Sequence, residues 1–92
     1  MATEMKIVPD YDHSADVLYL TLGEQFGASE CEDTEDGITI RYSSEDMRPI
    51  GVIVVGYDMY GWHNKAALLA ERVGSILHVP PKKIRNALSK LN

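Results

Sequence analysis

The segment YDHSADVLYLTLG, residues 11 to 23, holds the side chains of this sequence that look most like a chemical site. Asp12, His13 and Asp16 fall close together, and carboxylates and imidazoles are common metal ligands. The same composition is typical of a tight turn, because Asp and Ser side chains hydrogen-bond to nearby backbone amides. His13 as a general base would need a nucleophile, and the segment offers only its neighbour Ser14. We therefore predict a hairpin turn, with no metal ligand and no catalytic residue.

A second acidic group follows, comprising Glu30, Glu32, Asp33, Glu35 and Asp36. It does not fit a calcium-binding loop: with Gly37 as the sixth position of that loop, the twelfth is Ser43 instead of a bidentate Glu. Charged side chains also protect an exposed strand from pairing with other chains, and we predict such an edge strand. Cys31 is the single cysteine, so an internal disulfide is excluded. We expect no metal and no cofactor.

Two different hydrophobic periods divide the chain. Apolar residues predict strands at 17–22, 38–42 and 50–55, and a short extended segment at 5–8 that Pro9 closes. A weak polar strand is predicted at 28–34, with Asp36-Gly37 forming the turn after it. From Trp62 the spacing becomes three and four, which predicts a helix with Asn64 as a cap, and Pro80-Pro81 can start a second helix. The predicted fold class is α+β: a small antiparallel sheet of four to five strands in a meander, followed by two C-terminal helices packed on one face. Residues 1–92 form one domain, with the sheet at 6–55 and a helical extension at 62–92.

The strands predicted at 17–22 and 50–55 are apolar on both faces, yet two short helices can cover only one. We therefore expect a homo-oligomer, most simply a dimer, formed through the uncovered face. If the even-numbered positions face the helices, the interface residues are Val17, Tyr19, Ile53 and Val55. The residues expected to pack on the covered face are Trp62, Leu69, Val73, Ile76, Ile84 and Leu88.

Charge is divided unevenly along the chain, whose net charge is −5. Residues 1–61 hold 13 acids and 3 bases, whereas residues 62–92 hold 6 bases and 1 acid. One interpretation is that the two halves attract each other and stay solvated. The alternative is a degenerate helix-turn-helix at 66–91 that binds nucleic acid. With Gly74 as its turn, the connection is about four residues too long. The contacts in that alternative are Lys82, Lys83, Arg85 and Asn86.

Residues 6–55 resemble a known family. Tyr11-Asp12, Ala15-Asp16, Leu18-Tyr19-Leu20, the Asp36-Gly37-Ile38 turn and Ile50-Gly51-Val52 are similar to the small bacterial and archaeal family called domain of unknown function 2283. The resemblance implies a compact antiparallel β unit, and some members are thought to be partners of small toxin-like proteins. This chain departs from the pattern at Ile53, where members often have Glu, and the part from Trp62 onward lies outside it.

These observations predict a cytoplasmic protein without a membrane segment, since no apolar run is long enough to cross a bilayer. Because no acid has an evident base, nucleophile or pocket beside it, we expect a protein that is not an enzyme. The predicted function is a protein-interaction module, antitoxin-like in view of the resemblance. The alternative is a DNA-binding regulator.

Overall fold

The computed structural model describes residues 6–23 and 29–91. In chain order the elements are β1 (Ile7–Asp12), β2 (Val17–Leu22), β3 (Ser29–Asp33), β4 (Ile38–Ser43), β5 (Pro49–Val55), α1 (Ala66–Leu77) and α2 (Pro81–Leu88). Short 3-10 turns lie at Trp62–Asn64 and Ser89–Leu91. The predicted α+β class, with an antiparallel sheet followed by two helices, is confirmed. No helix of the described ranges is both long and apolar enough to span a membrane.

The strand order is β1-β2-β5-β4-β3, and every neighbouring pair is antiparallel. Two hairpins, β1-β2 and β3-β4, therefore flank β5, which differs from the sequential order of the expected meander. The physical reason lies in composition: β5 is apolar along its length, so the sheet centre suits it, whereas the acidic β3 is left at an edge. The edge position predicted for the acidic strand is confirmed.

The first strand is longer than the sequence predicted. Pro9 does not close it, because β1 continues to Asp12, with Pro9 opposite Leu20. An edge strand tolerates proline, since an amide that faces away from the sheet has no ladder partner to lose. Residue 5, the predicted beginning of this strand, and residue 28, that of the acidic strand, lie outside the described residues.

The helices cover one face of the sheet, and the core lies between the two layers. Leu18, Leu20 and Val54 are completely buried from the sheet side, which confirms that the even-numbered positions of β2 and β5 face the helices. Of the helical residues predicted to pack there, Ile76 is only partly buried and Leu77 takes the inner position. The others are buried as predicted: Trp62, Leu69, Val73, Ile84 and Leu88.

Two details of the helical part correct the sequence analysis. Asn64 is not a helix cap: it ends a 3-10 turn, and the backbone bends at Lys65 (φ −125°, ψ 39°) before α1 begins. Gly74 is not a turn either, because α1 runs on to Leu77 and His78, with φ 59°, ends it. A side chain at Gly74 would clash with the chain that follows, since its Cβ would lie 2.7 Å from the Val79 carbonyl oxygen. The connection between the helices is therefore only three residues, 78–80.

Candidate functional site

The acidic segment around Asp12 and Asp16 forms the β1-β2 turn, as predicted. Oδ1 of Asp12 accepts hydrogen bonds from the Ser14 amide (3.0 Å), the Ser14 hydroxyl (2.7 Å) and the Ala15 amide (3.2 Å). These bonds lower the pKa of Asp12, and the hydrogen bond from the Ser14 hydroxyl is the largest cause. Within residues 6–23 and 29–91, no three His, Cys, Asp or Glu side chains are grouped as metal ligands would be. Asp12 thus shapes the turn.

Asp16 links this turn to the loop after β5. Its carboxylate accepts hydrogen bonds from the Tyr11 hydroxyl (2.6 Å) and from the amides of Asp58 (2.8 Å) and Met59 (3.0 Å). Its backbone oxygen accepts another from the Gly56 amide, at 2.8 Å. The Tyr11 bond is the main cause that lowers the pKa of Asp16, and it also raises the pKa of Tyr11 to about 12. Asp16 therefore fixes the loop at 56–61 against the turn at 13–16.

A cleft of about 640 Å³ lies beside this junction and was not predicted from the sequence. The β1-β2 turn region, the loop at 56–61, the adjoining 3-10 turn and α2 all contribute to its lining. Four rings follow one another along it, with centroid distances of 4.5 Å from His13 to Tyr11, 5.4 Å from Tyr11 to Tyr57 and 6.4 Å from Tyr57 to His63. The remaining lining residues are Asp58, Ala66, Arg85, Leu88, Ser89 and Leu91.

Several polar side chains line the cleft, and two of them contact each other. Nδ1 of His63 lies 3.0 Å from Oδ1 of Asp58. Burial, and then the charge of Asp58, raise the pKa of Tyr57, which keeps its hydroxyl neutral at physiological pH. Arg85 makes no ion pair within the described residues. The cleft thus combines aromatic walls with the guanidinium of Arg85, which has no ion-pair partner in the part of the chain that the structure describes.

The residues predicted as a dimer interface lie together on the face away from the helices, which we call the open face. In the β2-β5 register Val17 is opposite Val55 and Tyr19 is opposite Ile53, so the four form two adjacent cross-strand pairs. Val55 is 51% exposed, and the other three are half-buried by one another and by their neighbours. We call these four residues the apolar strip. The face is as predicted, while its role as an interface stays a prediction.

Acidic residues flank the apolar strip on both edge strands. On β1, Asp10 lies beside Tyr19 and Asp12 beside Val17. On the other side Thr39 is opposite Ile53, and the Thr39 hydroxyl donates a hydrogen bond of 2.7 Å to Asp33 of β3. Among the described strands, the basic residue on this face is Arg41. The open face therefore has an apolar centre between two acidic edges.

The residues of the nucleic-acid alternative lie on α2, where Lys82, Arg85 and Asn86 are exposed and Lys83 is half-buried. Arg85 differs from Lys82 and Asn86 in lining the cleft.

The attraction expected between the acidic and basic halves is seen in an ion pair between described residues. Arg72 of α1 pairs with Asp36 in the β3-β4 turn. Burial by itself raises the pKa of Asp36, but the hydrogen bond from Thr34 and the charge of Arg72 outweigh it and lower that pKa. This ion pair fixes the first helix against the acidic end of the second hairpin.

Comparison with known proteins finds no matching family model, no matching curated protein and no matching solved structure. The likeness of residues 6–55 to the uncharacterised family stays a resemblance.

Proposed function

We propose that the protein is a non-enzymatic interaction module whose open face binds a second copy of the same chain. The observation that carries this proposal is the apolar strip, four apolar side chains in cross-strand register where a solvated face would be polar. An antiparallel sheet with one face in water normally alternates between apolar and polar residues. In β2 the open face presents Val17, Tyr19 and Thr21 instead of charged side chains.

A second copy fits this face for reasons of symmetry. A two-fold axis through the apolar strip places the strip of one copy on the strip of the other, so one surface serves as both partners. Val8, which is 45% exposed and opposite Thr21, extends the apolar surface toward the β1 edge. A chain of 92 residues buries a smaller fraction of its surface than a larger domain does, so the added burial contributes to its stability.

The acidic edges give this interface a characteristic salt dependence. Each copy has a net charge of −5 and carries Asp10 and Asp33 on its open face, so two copies repel one another, and salt screens this repulsion. Dimerisation should therefore strengthen as the salt concentration rises. A basic protein bound to the same face, such as the small toxin-like partner that the family resemblance implies, would bind more weakly in salt.

Light scattering on a sizing column tests the proposal. Wild type should have about twice the chain mass of 10.3 kDa at micromolar concentration, and more of it should be dimeric in high salt. Ile53→Asp should give a monomer with an unchanged circular dichroism spectrum. Leu68→Asp is the matched control, because Leu68 is 49% exposed on α1, and this variant should remain dimeric. A wild-type monomer in both low and high salt would refute the proposal.

The helical pair favours a second candidate function, binding of duplex DNA. The connection of three residues between α1 and α2 has the length found in helix-turn-helix motifs, which removes the objection raised from the sequence. A gel shift with random duplex DNA tests it. The alternative requires a complex that weakens steeply with salt and is weaker, with a shallower salt dependence, in the Lys82→Gln variant. No shift at low salt would exclude it.

A further inference from the structure

We propose that the cleft beside the β1-β2 turn binds a small organic anion carried on a planar ring. Its volume of about 640 Å³ lies within the usual range for small-molecule sites. This site is separate from the apolar strip: its lining comes from the turn, the loop at 56–61 and the helical layer, and none of the four strip residues lines it. The proposal therefore stands independently of dimerisation.

The aromatic residues of the cleft supply the surface for the ring of the ligand. The rings of Tyr11 and Tyr57 are inclined at 64° to one another, and their centroids are 5.4 Å apart. His13 and His63 continue the series at either end. A planar ligand gains affinity when it stacks on these rings or contacts them edge-on. Tyrosine side chains provide this contact area at little cost in conformational entropy.

These side chains are held in place before any ligand arrives. Asp16 accepts the hydrogen bond of the Tyr11 hydroxyl and also holds the amides of Asp58 and Met59. Asp58 in turn contacts Nδ1 of His63. The carboxylate of Asp16 thus fixes both the ring of Tyr11 in β1 and the loop that carries Tyr57. Side chains locked in this way lose little freedom on binding, which is the property expected of a binding site.

Charge determines which ring-bearing ligand fits. Among the described residues of the lining, Asp58 is the one with a carboxylate, and His63 already contacts it. The guanidinium of Arg85 has no ion pair among the described residues and lies on the adjoining helix surface. A guanidinium binds carboxylates and phosphates through two parallel hydrogen bonds, so an anion is the complementary group. The expected ligand is therefore a molecule that combines a planar ring with a carboxylate or a phosphate.

Isothermal titration calorimetry with two probes distinguishes the source of the anion. Adenosine 5′-monophosphate carries a phosphate on the ribose that is attached to its planar adenine ring, and 2-naphthoate carries a carboxylate directly on its planar ring. Adenosine supplies a ring without the anion and inorganic phosphate an anion without the ring. We expect at least one of the two probes to bind with a Kd below roughly 1 mM, and both control compounds to bind at least about tenfold more weakly.

Two variants on the same helix test the assignment of Arg85. Arg85→Gln should raise the Kd of the probe that binds by roughly tenfold or more, as expected for the loss of charge-assisted hydrogen bonds. Lys82→Gln is the matched control, because Lys82 is exposed on the same helix but does not line the cleft, and it should change the Kd less than about twofold. Both positions are exposed, so both variants should fold. Failure of both probes to bind, or equal weakening of binding in both variants, would overturn the proposal.

Discussion

Replacing Leu69 by alanine tests how firmly the helical layer is docked on the sheet. Leu69 lies in α1, its side chain is 0% exposed, and it belongs to the core cluster shared with β2 and β5. Truncation of a fully buried leucine usually costs about 2–5 kcal/mol, since both the transfer free energy and packing contacts are lost. For a domain of this size the entropy of unfolding is roughly 0.2 kcal/mol per degree, so the melting temperature should fall by about 10–25 °C.

The adjacent Leu68 provides a control of the same residue type on the same helix. Its side chain is 49% exposed and lies outside the core cluster, so Leu68→Ala should lower the melting temperature by only a few degrees. Thermal unfolding followed by circular dichroism, at one protein concentration for all variants, measures both effects. The expected result is a large difference between two neighbouring leucines. Equal melting temperatures for the two variants would show that α1 does not pack on the sheet as described.

Three further predictions concern Asp16 and Gly74. In Asp16→Asn the pKa of Tyr11, about 12 in wild type, should fall toward 10; absorbance titration of the tyrosines measures it, and an unchanged titration would contradict the assigned hydrogen bond. Because the folded-state pKa of Asp16 is lowered, its contribution to stability is complete above the unfolded value near 4 and is lost as the pH falls through the folded value. Lowering the pH should therefore reduce the folding stability of wild type more than that of the Asp16→Asn variant; equal losses of stability would contradict this reasoning. Gly74→Ala should lower the melting temperature although alanine favours helices, because its Cβ would lie 2.7 Å from the Val79 oxygen; a rise would show that this region relaxes easily.

The local features of the fold could be predicted from the sequence because each depends on neighbouring residues. Alternation in 17–22 gave β2 and its inward leucines, and it also gave the outward positions Val17 and Tyr19. The helical spacing identified Leu69 and Val73 as core residues. In these segments hydrophobic periodicity and tertiary packing agree, so the pattern alone was sufficient.

The features that escaped prediction depend on residues far apart in the chain. The place of β5 between the two hairpins is a choice among long-range pairings, and connection lengths do not determine it. The amides that Asp16 binds lie 42 and 43 residues further along the chain. The cleft joins Tyr11, Tyr57, His63 and Arg85, which come from four separate segments. No signal for this site was present in the sequence, because the predicted first strand ended before Tyr11 and nothing placed Tyr11 near Tyr57.

The central position of β5 has a consequence for synthesis of the chain on the ribosome. Each hairpin can form from local contacts as it emerges, but the two halves of the sheet have no shared partner until residue 55 has been made. The helices that cover the leucines of β2 come after β5 in the chain. Because the ribosomal exit tunnel still encloses the segment made last, the sheet emerges before α1 and α2 can pack on it. The hydrogen-bonding edge of β2, until β5 pairs with it, and then the uncovered leucines are therefore the parts of the nascent chain most exposed to aggregation and to capture by chaperones.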